Sequence, residues 1–156
     1  MTHPDLPEPF NAPLDEFLQG PDCNPLDIDP IFAKSVAQII KDWEVSPEQL
    51  CRSNARASLI EPRLTFHDTD VGVILADGEK TVGAYLGCDL ALDHGYRGKG
   101  LGRELVLERM LLSGENPVWY LDAPAYTPAG LATHEAAWRY ARTHPTNIHK
   151  RISRHT

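Results

Sequence analysis

LALDHGYRGKGLG, residues 90–102, sets three alternate glycines and two cations between an apolar run and a segment with helical spacing. Glycine forfeits more backbone freedom on folding than any other residue, so Gly98, Gly100 and Gly102 do not suit the interior of a helix or strand. Just upstream, DLAL (89–92) is short and apolar and reads as a strand. Just downstream, RELVLERMLLSG (103–114) carries Leu105, Val106, Met110 and Leu112 largely on one side and stops at Gly114, a natural helix C-cap. The glycines therefore form the turn of a strand-loop-helix unit. Such a loop points backbone N–H groups outward without partners at the positive end of a helix dipole, which suits a phosphate. Glycines let a ligand approach the main chain closely and allow the positive φ that turns successive N–H groups inward. With Arg97, Lys99 and Arg103 around the rim, a diphosphate fits best.

Working outward, the period upstream is close to two. RLTFHD (63–68), VGVILA (71–76) and TVGAYL (81–86) are short, apolar or β-branched, and separated by turn residues, so with 89–92 they predict a meander of antiparallel strands. Before them, IFAKSVAQIIKDW (31–43) follows Pro30 with helical spacing, and SPEQLCRSNARASL (46–59) reads as a second, shorter helix. Residues 1–30 carry seven prolines, which deny the segment regular helix and predict an extended arm with Phe10, Leu14 and Phe17 as candidate anchors. Beyond the glycine loop, VWYLDA (118–123) reads as a strand and GLATHEAAWRYARTH (130–144) as a helix stopped by Pro145. The tail from 145 to 156 is basic and reads as a solvated terminus, with a role in covering a phosphate-bearing ligand as the alternative.

The bulk properties bound the function. A chain of 156 residues, 42% hydrophobic and 24% charged, suits one compact α/β (α+β) domain over 1–156. No run approaches the roughly eighteen apolar residues of a membrane span, and MTHPDLPEPF lacks the layout of a signal peptide. A cytoplasmic protein with no membrane partner is expected. Cys23, Cys51 and Cys88 are odd in number and far apart, which suggests reduced thiols, with neither a disulfide framework nor a metal knuckle. A net charge of −7 argues against nucleic acid and is compatible with a cationic small molecule or a basic peptide.

Two phosphate motifs fail on spacing. No Ser or Thr follows Lys99, as a P-loop requires, and the glycines run G-x-G-x-G after an antiparallel meander rather than G-x-G-x-x-G in a βαβ unit. What remains is R-x-x-G-x-G, on Arg97, Gly100 and Gly102, after an apolar strand. LALDHGYRGKGLGRELV closely resembles motif A of the GCN5-related N-acetyltransferases, specifically over 88–112 and as an order of elements over about 31–144. The resemblance implies a mixed, mostly antiparallel sheet flanked by helices, with acetyl-CoA as co-substrate and no metal. It places the pyrophosphate on Arg97, Gly98, Lys99, Gly100, Leu101, Gly102 and Arg103, and pairs the pantetheine with the strand backbone at Leu90 and Leu92. A parallel neighbour for that strand is expected at 118–122.

Acetyl transfer needs a neutral amine, and the departing thiolate benefits from a proton. Asp89 is the expected base or amine anchor. The family's helix tyrosine has no clear match, because its surrounding motif is absent; Tyr126 and His134 stand nearest. The acceptor implied is a small-molecule amine, or a lysine or N-terminal amine of a protein. The missing tyrosine motif supports the alternative, a degenerate module that binds CoA or a partner without turnover. The proline-rich arm is a candidate for gating the acceptor pocket or for homodimer contacts.

Overall fold

The computed structural model describes residues 6–20, 27–28, 34–46, 51–120 and 125–155. In chain order the elements are α1 (Glu8–Asn11), α2 (Leu14–Gln19), β1 (Asp27–Ile28), α3 (Val36–Asp42), β2 (Cys51–Ala57), β3 (Leu64–Thr69), β4 (Gly72–Asp77), β5 (Lys80–Leu86), β6 (Asp89–Leu92), α4 (Leu101–Ser113), β7 (Ala125–Tyr126), α5 (Pro128–Thr143) and α6 (Pro145–Ser153), with short 3₁₀ turns at His94–Tyr96 and Pro117–Tyr120. The protein is α+β, with a five-stranded antiparallel sheet flanked by helices. Two compact units divide it, one of Lys34–Arg109 and one of Met1–Ala33 with Met110–Thr156.

The Lys34–Arg109 unit is the meander β2-β3-β4-β5-β6, each neighbouring pair antiparallel. Both faces are covered. On one, Val36 and Ile39 of α3 pack with Ile74, Ala84 and Leu86. On the other, Leu105 of α4 meets Gly83 beside Leu75 and Leu92, so closely that a Cβ at Gly83 would lie 2.9 Å from the Leu105 side chain. Two-sided burial explains why β4 and β5 read as nearly continuous apolar runs rather than alternating ones. Each fully buried aliphatic or aromatic side chain in such a layer stabilises by about 1.5–3 kcal/mol.

Two expectations about this unit are corrected. The first helix begins at Val36, with Ser35 as N-cap accepting from the Gln38 N–H; residues 31–33 lie outside the described residues. Of the second helix, expected at 46–59, residues 51–57 form the strand β2 (Cys51–Ala57), and residues 47–50 lie outside the described residues. At its C-terminal end Arg56, and Ser58 just beyond the strand, are buried while Ala55 and Ala57 are exposed. Arg56 holds Asp68 through two bonds of 3.0 and 2.8 Å and Glu108 of α4 at 3.2 Å. Desolvation opposes the Arg56 charge, but Asp68 and Glu108 outweigh it and hold the guanidinium's pKa above its ordinary value.

In the other unit, α1 and α2 pack on α5. The expected extended arm is thus helical over 8–11 and 14–19. Pro7 and Pro13 occupy N-cap positions and Pro9 lies in the first turn of α1, where a missing N–H costs no helical bond. Phe10 and Phe17 are fully buried with ring centroids 5.5 Å apart, as anchors should be, whereas Leu14 is only half-buried. Helices this short leave carbonyls at their C-terminal ends without internal partners. Side-chain donors supply them: Asn116 Nδ2 and Trp119 Nε1 to the Phe17 carbonyl, the Tyr126 hydroxyl to Leu18, Trp138 Nε1 to Ala12, and Arg142 to Phe10 and Asn11.

Three further corrections concern the C-terminal half. Residues 117–120 form a 3₁₀ turn rather than a strand, with the Asn116 side chain accepting from the Val118 N–H; residues 121–124 lie outside the described residues. The parallel pairing observed is Ala125 with Asp27 and Tyr126 with Ile28, in a separate two-stranded sheet. The tail is the helix α6, begun by Pro145 at its N-terminus and held by the buried Ile148 and Arg151.

Candidate functional site

The glycine loop leaves β6 through a fixed turn. The Asp93 N–H donates to the Val82 carbonyl at 2.8 Å and the Tyr96 N–H to Asp93 at 3.0 Å. The Tyr96 hydroxyl donates to Asp77 at 2.6 Å, and Arg63 reaches the same carboxylate at 2.8 Å. Tyr96 first, then Arg63, holds the Asp77 carboxyl below the usual carboxylate range. Beyond this anchor, Gly98 and Gly100 adopt φ of +80° and +88°, a region that strains any residue with a Cβ. A Cβ at Gly98 would meet nothing within 4 Å. Gly100 opens α4, its carbonyl accepting from the Glu104 N–H at 3.0 Å. Arg97 and Lys99 are exposed, Leu101 is fully buried under the first turn, and Gly102 and Arg103 are half-buried.

Part of the rim is already engaged. Arg97 Nε donates to the Leu92 carbonyl at 3.0 Å, and Lys99 lies 3.5 Å from Glu61. Leu90 and Leu92 are half-buried on the α4 side of β6. Among the described residues β6 pairs with β5 only, so its other side is a sheet edge.

A segment that sequence reasoning missed braces this loop. Glu104, fully buried in the first turn of α4, accepts from the Ser58 hydroxyl at 2.5 Å and the Leu59 N–H at 2.8 Å. Ser58 Oγ in turn accepts from the Ile60 and Glu61 N–H groups, and the Ile60 side chain stands 3.3 Å from where a Gly100 Cβ would be. The available signal was S-x-x-E at 58–61, a turn signature in which the serine accepts from the N–H three residues on.

The expected catalytic residues fall into two groups. Asp89 opens β6 and its Oδ2 receives both Lys34 Nζ at 3.2 Å and Trp43 Nε1 at 2.9 Å. Tyr126 and His134 belong to the helical unit, where they do meet, ring edge to face with centroids 4.9 Å apart. Both are buried. The Tyr126 hydroxyl donates to the Leu18 carbonyl at 2.9 Å, and burial pushes its pKa up to about 12. His134 Nδ1 lies 2.7 Å from the Gly130 carbonyl one turn earlier, and burial pushes the ring's pKa down to about 4.

The His134 shift implies an acid limit on stability. The folded chain binds the ring's proton more weakly than the unfolded chain, whose histidine titrates near 6.5, so the contribution is complete above that pH and is lost as pH falls from 6.5 toward 4. At about 1.4 kcal/mol per unit the loss is about 3 kcal/mol. Denaturant melts of wild type and His134→Phe across pH 7 to 4 check this: the difference in stability between them should change by about that amount, and an identical pH slope would refute it.

Among the described residues no group of three or more His, Cys, Asp or Glu side chains is arranged to hold a metal ion, and no helix is long and apolar enough to cross a membrane. Cys88 is a free, half-buried thiol whose pKa burial pushes up, away from a reactive thiolate. No family model matches the chain, and no curated protein or solved structure matches it either.

Proposed function

We propose that the 97–102 loop holds the pyrophosphate of coenzyme A and that the protein is an acetyl-CoA-dependent N-acetyltransferase of the GCN5-related type, acting on a primary amine of a small molecule or a protein. One observation carries the reading: an edge strand, β6, runs through an anchored turn into a loop whose two glycines have left-handed φ, at the start of a thirteen-residue helix. The loop's N–H groups and the helix dipole favour a diphosphate, Arg97 and Lys99 supply charge, and the open space at Gly98 permits close approach. The edge of β6 offers backbone groups to the two amides of a pantetheine arm, as sheet edges do to peptides. Asp89, at the far end of that strand, takes the base or anchor role, and the departing thiolate draws its proton from solvent.

Calorimetric titration with acetyl-CoA and CoA tests this beside Gly98→Ala. That substitution meets no neighbour and strains the backbone by about 1 kcal/mol, so the variant should fold. Saturable binding that weakens about tenfold or more in the variant is the expected result. Absence of binding to folded wild type would end the proposal.

A second reading keeps the CoA site without turnover. It draws on the Tyr126 hydroxyl and the His134 Nδ1, which are engaged with backbone carbonyls inside the helical unit. Release of free CoA thiol from acetyl-CoA over a panel of primary amines separates the two readings.

A further inference from the structure

We infer that Lys34 is an acceptor for the chain's own acyl donor: a primary amine held on Asp89 at the end of β6 where the thioester of a loop-bound acetyl-CoA would come to lie. The inference rests on the proposed CoA site. From Leu92, whose carbonyl accepts from Arg97 of the loop, an extended arm laid back along β6 covers three residue steps, about 10 Å at the strand rise, to Asp89.

Lys34 Nζ already occupies that end, 3.2 Å from Asp89 Oδ2 and 3.1 Å from Asp42 Oδ2. The Trp43 indole N–H donates to the same Asp89 oxygen and fixes the carboxylate, while its ring lies over Gly87 so closely that no Cβ fits there. The Lys34 side chain remains more than a third exposed, which leaves it open to a donor.

In the transfer, Asp89 takes a proton from the Lys34 ammonium and passes it to water. The freed Nζ lone pair forms a bond to the acetyl carbon, the carbon–sulfur bond of the thioester breaks, and the CoA thiolate leaves and is protonated by solvent. The second proton on nitrogen is lost as the amide forms. The product carries no charge at position 34, so the ion pairs with Asp42 and Asp89 are released.

The chemistry of free lysines makes the opposite prediction, which sharpens the test. Asp42 first, and Asp89 with it, raise the Lys34 pKa and keep the amine protonated. In simple solution reaction with acetyl-CoA, Lys34 should therefore lag behind Lys41, Lys80 and Lys150.

The experiment incubates full-length wild type, Lys34→Arg and Asp89→Asn with acetyl-CoA, follows acetylation of each lysine by peptide mass spectrometry, and measures CoA binding by calorimetry on the same samples. Acetylation of Lys34 about tenfold or more faster than at Lys41, Lys80 and Lys150 is expected, because a bound donor beside a held amine replaces a bimolecular encounter. Asp89→Asn should slow it about tenfold with binding intact. Saturable CoA binding with Lys34 no faster than the other lysines overturns the inference and leaves the CoA site standing. So does acceleration in Asp89→Asn, which would mark the carboxylate as a mere counter-ion. Absence of CoA binding overturns both.

Discussion

Arg56→Met should destabilise the Lys34–Arg109 unit by about 3–5 kcal/mol. Arg56 is 5% exposed, and its two hydrogen bonds to Asp68 and one to Glu108 join β2 to β3 and to α4. Methionine replaces the stem but not the charge, so two carboxylates buried at 6% and 0% exposure lose their cation without regaining water. Much of the loss comes from the groups left behind rather than from the ion pair itself. The triple variant Arg56→Met, Asp68→Leu, Glu108→Leu removes these three charges together and should recover most of it, since well-packed apolar replacements of buried ion pairs are often neutral or stabilising. Urea unfolding of the two variants decides the matter. A single variant as stable as wild type would show that Arg56 contributes only packing.

Gly72→Ala should be comparably damaging, at about 3–5 kcal/mol. Gly72 begins β4 just after the turn from β3, with φ of +154°, and a Cβ there would lie 2.0 Å from the Tyr85 carbonyl oxygen and 3.0 Å from the Leu86 Cα. Those atoms are backbone of β5, so relief requires the β4 to β5 ladder to open where Gly72 faces Leu86. Gly78→Ala is the matched comparison. Its φ is +63° and a Cβ there meets nothing, so only backbone strain of about 1 kcal/mol is expected. Thermal melts of both variants should separate them clearly, and equal losses would refute the steric argument.

The meander was legible because its strands carry their own signal. Predicted spans of 63–68, 71–76, 81–86 and 89–92 meet observed spans of Leu64–Thr69, Gly72–Asp77, Lys80–Leu86 and Asp89–Leu92. The end of β2 was not legible, because the buried positions there, Arg56 and Ser58 just beyond the strand, are polar, and a search for apolar alternation cannot see polar groups that a partner elsewhere renders buriable. Glu104 and Glu108 stayed hidden for the same reason. One turn apart on α4, they resemble a solvated face until Ser58 and Arg56 are placed against them. The prolines misled by abundance. Pro7, Pro13 and Pro145 start helices that their number alone would forbid. The glycine loop was legible as a loop because its backbone demands glycine, whereas its brace at 58–61 depends on contacts between segments distant in sequence.

The grip on α1 and α2 also bears on how freely this part of the chain can change. Five side chains, Asn116, Trp119, Tyr126, Trp138 and Arg142, hold it by main-chain oxygens, which every residue type possesses. Outward positions such as Glu8 and Asp15 are therefore open to drift, and selection should concentrate at buried points of 6–20 such as Phe10 and Phe17 and, outside that segment, on the five donors.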